Sequence, residues 1–189
     1  MIYQPKEDSY LLKQEIENYL KTLDKKQKNN LKVLDMGSGL GIQAKACIKE
    51  GIKKQNILAV DIDTEVISNL KKLKIPSKHS NLFNNINKKQ KYDLIIFNPP
   101  YLPEDKQGYD NLPDTTAGKK GNEIILLFLK QAKHYLTKQG KILLLFSNLS
   151  KPRTIISYAK KLKYNYKKLN EKNMGFFEKL YVYEFYLKN

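Results

Sequence analysis

The order of apolar and polar positions along the chain predicts alternating helices and strands. Leu12, Ile16 and Leu20 recur at helical spacing, which predicts a helix from about Asp8 to Leu23, capped by Asp8 or Ser9. Short apolar runs predict strands instead. The predicted strands cover residues 31–35, 57–61, 78–80, 92–98, 141–147, 164–169 and 180–187.

Further helices are predicted between these strands. They cover residues 42–50, 64–73, 121–136 and 152–162, whereas the polar segment 24–30 is expected to be a loop. Strands that alternate with helices predict an α/β fold, with a mostly parallel sheet covered by helices on both faces.

The length and composition suit one globular domain. The chain has 189 residues, of which 41% are hydrophobic, so a wholly disordered basic tail is excluded. We expect a single domain over residues 1–189, with an N-terminal arm and helix in residues 1–30. The long segment 102–120 has no predicted element, and we expect it to form a lid over the substrate.

The charge is strongly positive. There are 35 Lys and Arg residues against 19 Asp and Glu residues, a formal net charge of +16, and Arg153 is the only arginine. A surface that reads bases normally uses arginine, which favours a simple lysine-coated surface. The alternative is long-range attraction to nucleic acid or to a ribonucleoprotein.

Several classes of protein are disfavoured by what the chain contains. Cys47 is the only cysteine, and His79 and His134 are the only histidines, so we expect neither a disulfide framework nor a metal site. The longest apolar run is Ile124 to Leu129, and the first residues do not resemble a signal peptide. We therefore expect a cytoplasmic protein.

A glycine-rich turn is the first motif with a chemical meaning. Asp35 ends a predicted strand and is followed by Gly37, Gly39 and Gly41 before a predicted helix. Glycines let a ligand approach the backbone closely. The spacing differs from the Gly-x-Gly-x-x-Gly fingerprint of dinucleotide-binding proteins, so the ligand need not carry phosphate.

A second acidic residue, Asp61, ends the next predicted strand. A carboxylate at that position can accept hydrogen bonds from both hydroxyls of a ribose. The alternative is a helix cap near Asp63 and Thr64. The glycine-rich turn before it favours ribose binding.

The third motif is Asn98-Pro99-Pro100-Tyr101, at the end of a very hydrophobic predicted strand. The two prolines fix the backbone and remove two N–H donors, which leaves carbonyl acceptors beside the Asn98 side chain. These acceptors suit a planar amino group, and the Tyr101 ring can stack on it. The alternative is a strand-end turn without a function.

Together these motifs resemble the class I S-adenosylmethionine-dependent methyltransferases that act on nitrogen. More narrowly, the chain resembles the HemK-like release-factor glutamine methyltransferases, in the archaeal and eukaryotic branch. The resemblance extends over nearly the whole chain, from the opening segment 3–12 through the Asn98–Tyr101 motif to the segment 117–123. The early position of the glycine-rich turn favours that branch, because bacterial members carry a helical domain first.

The resemblance implies a Rossmann-like, doubly wound sheet of seven strands with the last strand antiparallel. It also implies S-adenosylmethionine as the cofactor, and a role for each matching residue. Asn98, Pro99, Pro100 and Tyr101 would form the catalytic turn. The cofactor would be bound by Ser9, Asp35, Gly37, Gly39, Gly41, Asp61, Asn81, Leu82 and Asn98. The family usually has aspartate where this chain has Asn81, so the acceptor for the adenine amino group is here a neutral amide oxygen.

The expected activity is methylation of the glutamine side-chain amide in the Gly-Gly-Gln loop of a translation release factor. The family also implies a small zinc-binding activator subunit as partner. An adenine-N6 methyltransferase acting on DNA or RNA is the main alternative, because an adenine amino group fits the same acceptors. A non-catalytic nucleotide-binding subunit is a weaker one.

Overall fold

The computed structural model describes residues 4–104, 118–175 and 177–188. The helices in these ranges are α1 (Glu7–Lys21), α2 (Lys25–Asn30), α3 (Ile42–Lys49), α4 (Thr64–Lys72), α5 (Glu123–Ala132) and α6 (Pro152–Lys161). The strands are β1 (Val33–Met36), β2 (Ile57–Asp61), β3 (Ser77–His79), β4 (Tyr92–Phe97), β5 (Leu136–Ser147), β6 (Tyr164–Asn173) and β7 (Lys179–Leu187). None of these helices is long and apolar enough to cross a membrane.

Within the described ranges all seven strands form one sheet. Their order is β3-β2-β1-β4-β5-β7-β6; the β5–β7 and β7–β6 pairs are antiparallel, and the other four pairs are parallel. The predicted α/β class, the mostly parallel sheet and the antiparallel last strand are confirmed. The chain leaves β1 toward one edge of the sheet and returns to β4 on the other side of β1, which creates a topological switch point between β1 and β4.

Alternate residues of the central strands supply two cores, one on each face of the sheet. Val33 of β1 packs in the core beneath α1, α3 and α4, whereas Leu34 and Met36 pack in the core beneath α5 and α6. Because strand side chains alternate in direction, this arrangement requires strands that are apolar on both faces. The apolar runs of the sequence have this property.

The start of the chain differs from the sequence-based prediction at two points. Helix α1 begins at Glu7 with no side-chain cap, so the expected cap by Asp8 or Ser9 is wrong and both residues lie inside the first turn. The predicted loop 24–30 is also wrong, because residues 25–30 form α2. A capping box explains this helix: Asp24 Oδ1 accepts from the Gln27 backbone N–H at 2.8 Å, and Gln27 Oε1 accepts from the Asp24 N–H at 2.9 Å.

Strand β5 is longer than predicted and α5 shorter. The strand begins at Leu136, which pairs with Tyr92, and its register with β4 shifts before Lys141. Gly140 permits this irregularity, since a Cβ there would lie 2.8 Å from the carbonyl oxygen of Tyr92. Of the predicted lid 102–120, residues 105–117 lie outside the described ranges. The described residues on either side of this gap are joined by a hydrogen bond, in which the Glu104 N–H donates to the Gly118 carbonyl at 3.0 Å.

Candidate active site

A cavity of about 600 Å³ opens at the switch point, where the carboxyl ends of β1 and β4 lie side by side. In open α/β sheets this is the usual place for a ligand. The predicted site residues that line it are Ser9, Asp35, Gly37, Gly39, Asp61, Asn81, Leu82, Asn98, Pro99, Pro100 and Tyr101.

Gly41 is the predicted site residue that does not line this cavity. It precedes α3 with a φ of 72°, in the left-handed region that favours glycine. A Cβ at this position would lie 2.7 Å from Leu70 Cδ2. The close packing of the glycine turn against α4 therefore accounts for Gly41 without any ligand.

Asp35 is the next-to-last residue of β1, with 1% of its surface exposed. Its Oδ2 accepts from the Ala44 N–H in the first turn of α3 at 3.1 Å. Burial raises the pKa of Asp35 to about 7, and the nearby charge of Asp61 adds to the rise, whereas hydrogen bonds from Ala44 and Ser38 oppose it. This carboxyl group therefore changes its charge near neutral pH.

Asp61 holds the glycine-rich turn in shape. Its Oδ2 accepts from the Gly39 N–H at 2.9 Å, and its Oδ1 accepts from the Asp63 N–H at 3.0 Å. The cap of α4 is Asp63, whose Oδ1 accepts from the Glu65 N–H at 2.7 Å. Asp61 is thus not the helix cap that its position allowed, and its carboxylate has further acceptor sites facing the cavity.

The turn after β3 forms another wall of the cavity. Leu82 is buried with a φ of 46°, and its carbonyl accepts from Ser80 Oγ at 2.8 Å. Ser80 Oγ in turn accepts from the Asn85 N–H at 2.9 Å. The preceding Asn81 is exposed at the cavity edge. These bonds hold residues 81 and 82 in a fixed backbone conformation.

Asn98 follows β4 at the base of the cavity. Its side-chain Nδ2 donates to Asp8 Oδ2 at 3.0 Å and lies 3.4 Å from Ser9 Oγ. Its side-chain oxygen Oδ1 is buried and has no hydrogen-bond partner among the described residues. A buried oxygen without a partner is unfavourable, so this atom is ready to accept a hydrogen bond from a ligand.

The turn after Asn98 is rigid. Its peptide bonds are trans, and the Tyr101 carbonyl accepts from Ser150 Oγ at 2.7 Å. Gly121 lies directly against this segment, because a Cβ there would come within 2.8 Å of the Tyr101 carbonyl oxygen. The half-buried Tyr101 ring packs against both cores. Its stacking on a substrate stays a prediction.

Asp8 and Gln43 also line the cavity, although they were not among the predicted site residues. Asp8 contacts Asn98, as described above. Gln43 is buried, its Nε2 donates to the Ser9 carbonyl at 2.9 Å, and its Oε1 has no partner among the described residues. A polar residue on an otherwise apolar face of α3 was the available signal for Gln43.

The charge of the cavity is opposite to that of the protein. Asp8, Asp35, Asp61 and Asp63 line it, whereas its described lining contains no lysine, arginine or histidine. An acidic cavity favours a cationic ligand and disfavours a phosphate group.

Comparison with known proteins settles the family. A model described as the methyltransferase small domain matches residues 16–173. The chain belongs to this family. This methyltransferase is 37% identical over 172 residues to a protein of Methanocaldococcus jannaschii that is assigned as a protein N5-glutamine methyltransferase, covering 85% of the chain and 80% of that relative.

Two more relatives extend the comparison. A release factor glutamine methyltransferase of Rhodopirellula baltica is 31% identical over 130 residues, which cover 59% of this chain and 43% of that protein. In structure, the methyltransferase superposes on a chain of the E. cuniculi Mtq2–Trm112 complex, which methylates the eRF1 translation termination factor, with a TM-score of 0.76 and 21% identity over 99% of both chains.

The methyl donor of this methyltransferase is S-adenosylmethionine. The residues of the cavity fit such a ligand. The volume lies in the ordinary range for a small-molecule site. The carboxylates suit a sulfonium and an amino group, and the unpaired Oε1 of Gln43 is a further acceptor.

Proposed function

We propose that the protein transfers a methyl group from S-adenosylmethionine to the side-chain amide nitrogen of glutamine in the Gly-Gly-Gln loop of a translation release factor. The observation that carries this proposal is the buried, unpaired Oδ1 of Asn98 beside the Pro99-Pro100 turn. These groups accept hydrogen bonds, and the nucleophile of this reaction is an NH₂ group that can donate two.

S-adenosylmethionine supplies a methyl group already activated on a sulfonium. The protein must therefore place a poor nucleophile, because the lone pair of an amide nitrogen is conjugated with its carbonyl. Hydrogen bonds from the NH₂ group to Asn98 Oδ1 and the Pro99 carbonyl orient the nitrogen. They also strengthen as it becomes positive, so they stabilise the transition state more than the ground state. As the carbon–nitrogen bond forms, the carbon–sulfur bond breaks with S-adenosylhomocysteine as the leaving group, and the nitrogen then loses one proton to solvent.

The cofactor would be held by the residues that the resemblance implies and that line the cavity. Asp61 would accept hydrogen bonds from the ribose, Asn81 and Leu82 would contact the adenine, and Ser9 and Asp35 would contact the methionine part. We add Gln43 to this set, because its Oε1 is buried in the cavity wall and unpaired among the described residues.

The names of the relatives support the same substrate class. The M. jannaschii and R. baltica proteins are glutamine methyltransferases by name, and the E. cuniculi complex methylates a termination factor.

The test offers labelled S-adenosylmethionine to the purified protein with a release factor, with the same factor carrying Gln→Ala in its Gly-Gly-Gln loop, and with an adenine-containing oligonucleotide. We expect transfer to the first substrate alone. Asn98→Ala is expected to reduce turnover roughly 100-fold or more while the cofactor still binds. Near-normal turnover by Asn98→Ala, or transfer to the altered factor, would contradict the proposal.

Transfer to the oligonucleotide alone would instead support an adenine-N6 methyltransferase. The net charge of +16 favours that alternative, since positive charge attracts nucleic acid. The near absence of arginine and the acidic cavity disfavour the adenine-N6 alternative.

We also propose that a small activator subunit, for which the family implies a zinc-binding protein, covers the β3 edge of the sheet. Among the described strands β3 pairs only with β2, so its outer backbone groups are open for pairing. Ile62 and Leu73, which flank this edge in sequence, are 63% and 46% exposed. Ile62→Asp with Leu73→Asp is expected to abolish co-purification with the activator. Retained co-purification would place the partner elsewhere.

A further inference from the structure

The side chain of Asn98 can be placed in two orientations that differ by exchange of its amide oxygen and nitrogen. Only one of them presents an acceptor to a substrate NH₂ group, because Nδ2 is a donor. The catalytic turn itself does not choose between them. The choice must come from the groups on the other side of the Asn98 amide.

Those groups are supplied by the first turn of α1. Asp8 Oδ2 lies 3.0 Å from Asn98 Nδ2, and Ser9 Oγ lies 3.4 Å from the same nitrogen. In the exchanged orientation Asn98 Oδ1 would face the Asp8 carboxylate. Two oxygens that both only accept cannot bond, whereas Nδ2 facing a carboxylate makes a charge-assisted hydrogen bond.

The first turn of α1 is itself held in place. The Ser9 carbonyl accepts from the buried Gln43 Nε2 of α3 at 2.9 Å. Along α1, Leu12, Ile16 and Leu20 are fully buried in the core. Asp8 is 4% exposed, so water does not compete for its carboxylate.

From these contacts we propose that Asp8 is a positioning residue for methyl transfer, which holds the Asn98 amide with its oxygen directed to the reacting nitrogen. The proposal rests on the proposed function, since it takes Asn98 Oδ1 as the acceptor for the substrate. Asp8 touches Asn98, and its effect on the reaction passes through that residue.

Asp8→Asn tests this role with almost no change in shape. An asparagine at position 8 can either accept from Asn98 or donate to it, so both orientations of Asn98 become populated. We expect kcat to fall roughly 10- to 100-fold, whereas the dissociation constant for S-adenosylmethionine changes less than about 3-fold.

Glu7→Gln is the matched control. Glu7 lies in the same first turn and carries the same charge, but it is exposed and pairs with Lys172 at 2.7 Å. Removing its charge alters the helix N-terminus in the same way without touching Asn98. We expect kcat of Glu7→Gln to stay within about 2-fold of the wild type.

A double-mutant cycle separates positioning from a direct effect. In the Asn98→Ala background, Asp8→Asn is expected to cause no further loss of kcat, because the residue through which it acts is gone. A further loss of tenfold or more, an unchanged kcat of Asp8→Asn alone, or a loss of kcat of the same size in Glu7→Gln would each overturn the proposal. So would weaker cofactor binding that accounts for the whole effect.

A measurement on the wild-type protein does not depend on any variant folding, or on the identity of the substrate. In the ¹H–¹⁵N spectrum, one side-chain amide proton of Asn98 is expected to lie downfield of the exposed asparagines and to exchange slowly with solvent. An Asn98 amide that resembles exposed asparagines would overturn the proposal. If the amide shows the bond but no release factor is methylated, the proposed function fails and the orientation of Asn98 stands.

Discussion

We expect Asp35→Asn to remove a pH dependence of folding stability that the wild-type protein carries at its active site. In the unfolded chain Asp35 has its ordinary pKa of 3.8, and in the folded protein burial raises the pKa to about 7. Between these values the folded state binds a proton that the unfolded state does not. The contribution of Asp35 to stability is therefore fully present below about pH 4 and is lost as the pH rises through about 7.

The size of the effect follows from the two pKa values. Each pH unit between them corresponds to about 1.4 kcal/mol, so the whole interval of about three units corresponds to roughly 4 kcal/mol. Asparagine keeps the shape and can still accept from the Ala44 N–H, but it does not ionise.

The assay is urea unfolding of both proteins at several pH values between about 4.5 and 7.5, without cofactor. Subtracting the free energy of unfolding of the variant from that of the wild type cancels the contribution of all other titrating groups. As the pH rises, the wild type should lose about 1.4 kcal/mol of free energy of unfolding per pH unit relative to the variant over the middle of the range. A difference that does not change with pH would refute the assignment of the raised pKa to Asp35.

Two further predictions concern other parts of the site. Gly41→Ala combines an unfavourable positive φ with a Cβ 2.7 Å from Leu70 Cδ2, so we expect it to lower the free energy of unfolding by about 2 kcal/mol or more in urea titrations. Gly39→Ala has open space around its Cβ and should lower the free energy of unfolding less, so equal losses in the two variants would contradict this prediction. Burial, and secondarily the charge of Asp8, raises the pKa of Glu178, so the stabilising contribution of its protonated form is lost as the pH rises. The difference in Tm between Glu178→Gln and the wild type should therefore be more favourable to the variant at pH 8 than at pH 4. A difference in Tm that is the same at both pH values would contradict this prediction.

Local sequence patterns predicted most elements because each central strand is apolar on both faces and each covering helix has an apolar stripe. Strand β2 has the predicted bounds, Ile57–Asp61. Helix α2 was missed because its six residues are all polar and carry no apolar period, although Asp24 and Gln27 form a recognisable capping pair. The outer strand β6 extends to Asn173. The prediction ended this strand too early because its exposed positions are polar and give no alternating pattern.

The site was predictable to the extent that its residues end strands. Asp35, Asp61 and Asn98 each lie within one residue of the end of a buried strand, and parallel strands bring their carboxyl ends to one edge. The contact between Asp8 and Asn98 joins residues 90 positions apart. This contact depends on how α1 packs on the sheet, which a local sequence pattern does not reveal. The contact between Gln43 and Ser9 was unpredictable for the same reason.

The acidic lining of the cavity has a consequence for turnover. Methyl transfer turns a sulfonium cation into an uncharged thioether, so the carboxylate of Asp61, and that of Asp35 in its charged form, attract S-adenosylhomocysteine less strongly than S-adenosylmethionine. The cavity therefore discriminates between donor and by-product by charge alone, in a protein whose surface is overwhelmingly basic. We expect inhibition by S-adenosylhomocysteine to be weakened by this difference, and to become relatively stronger when Asp61 is replaced by asparagine.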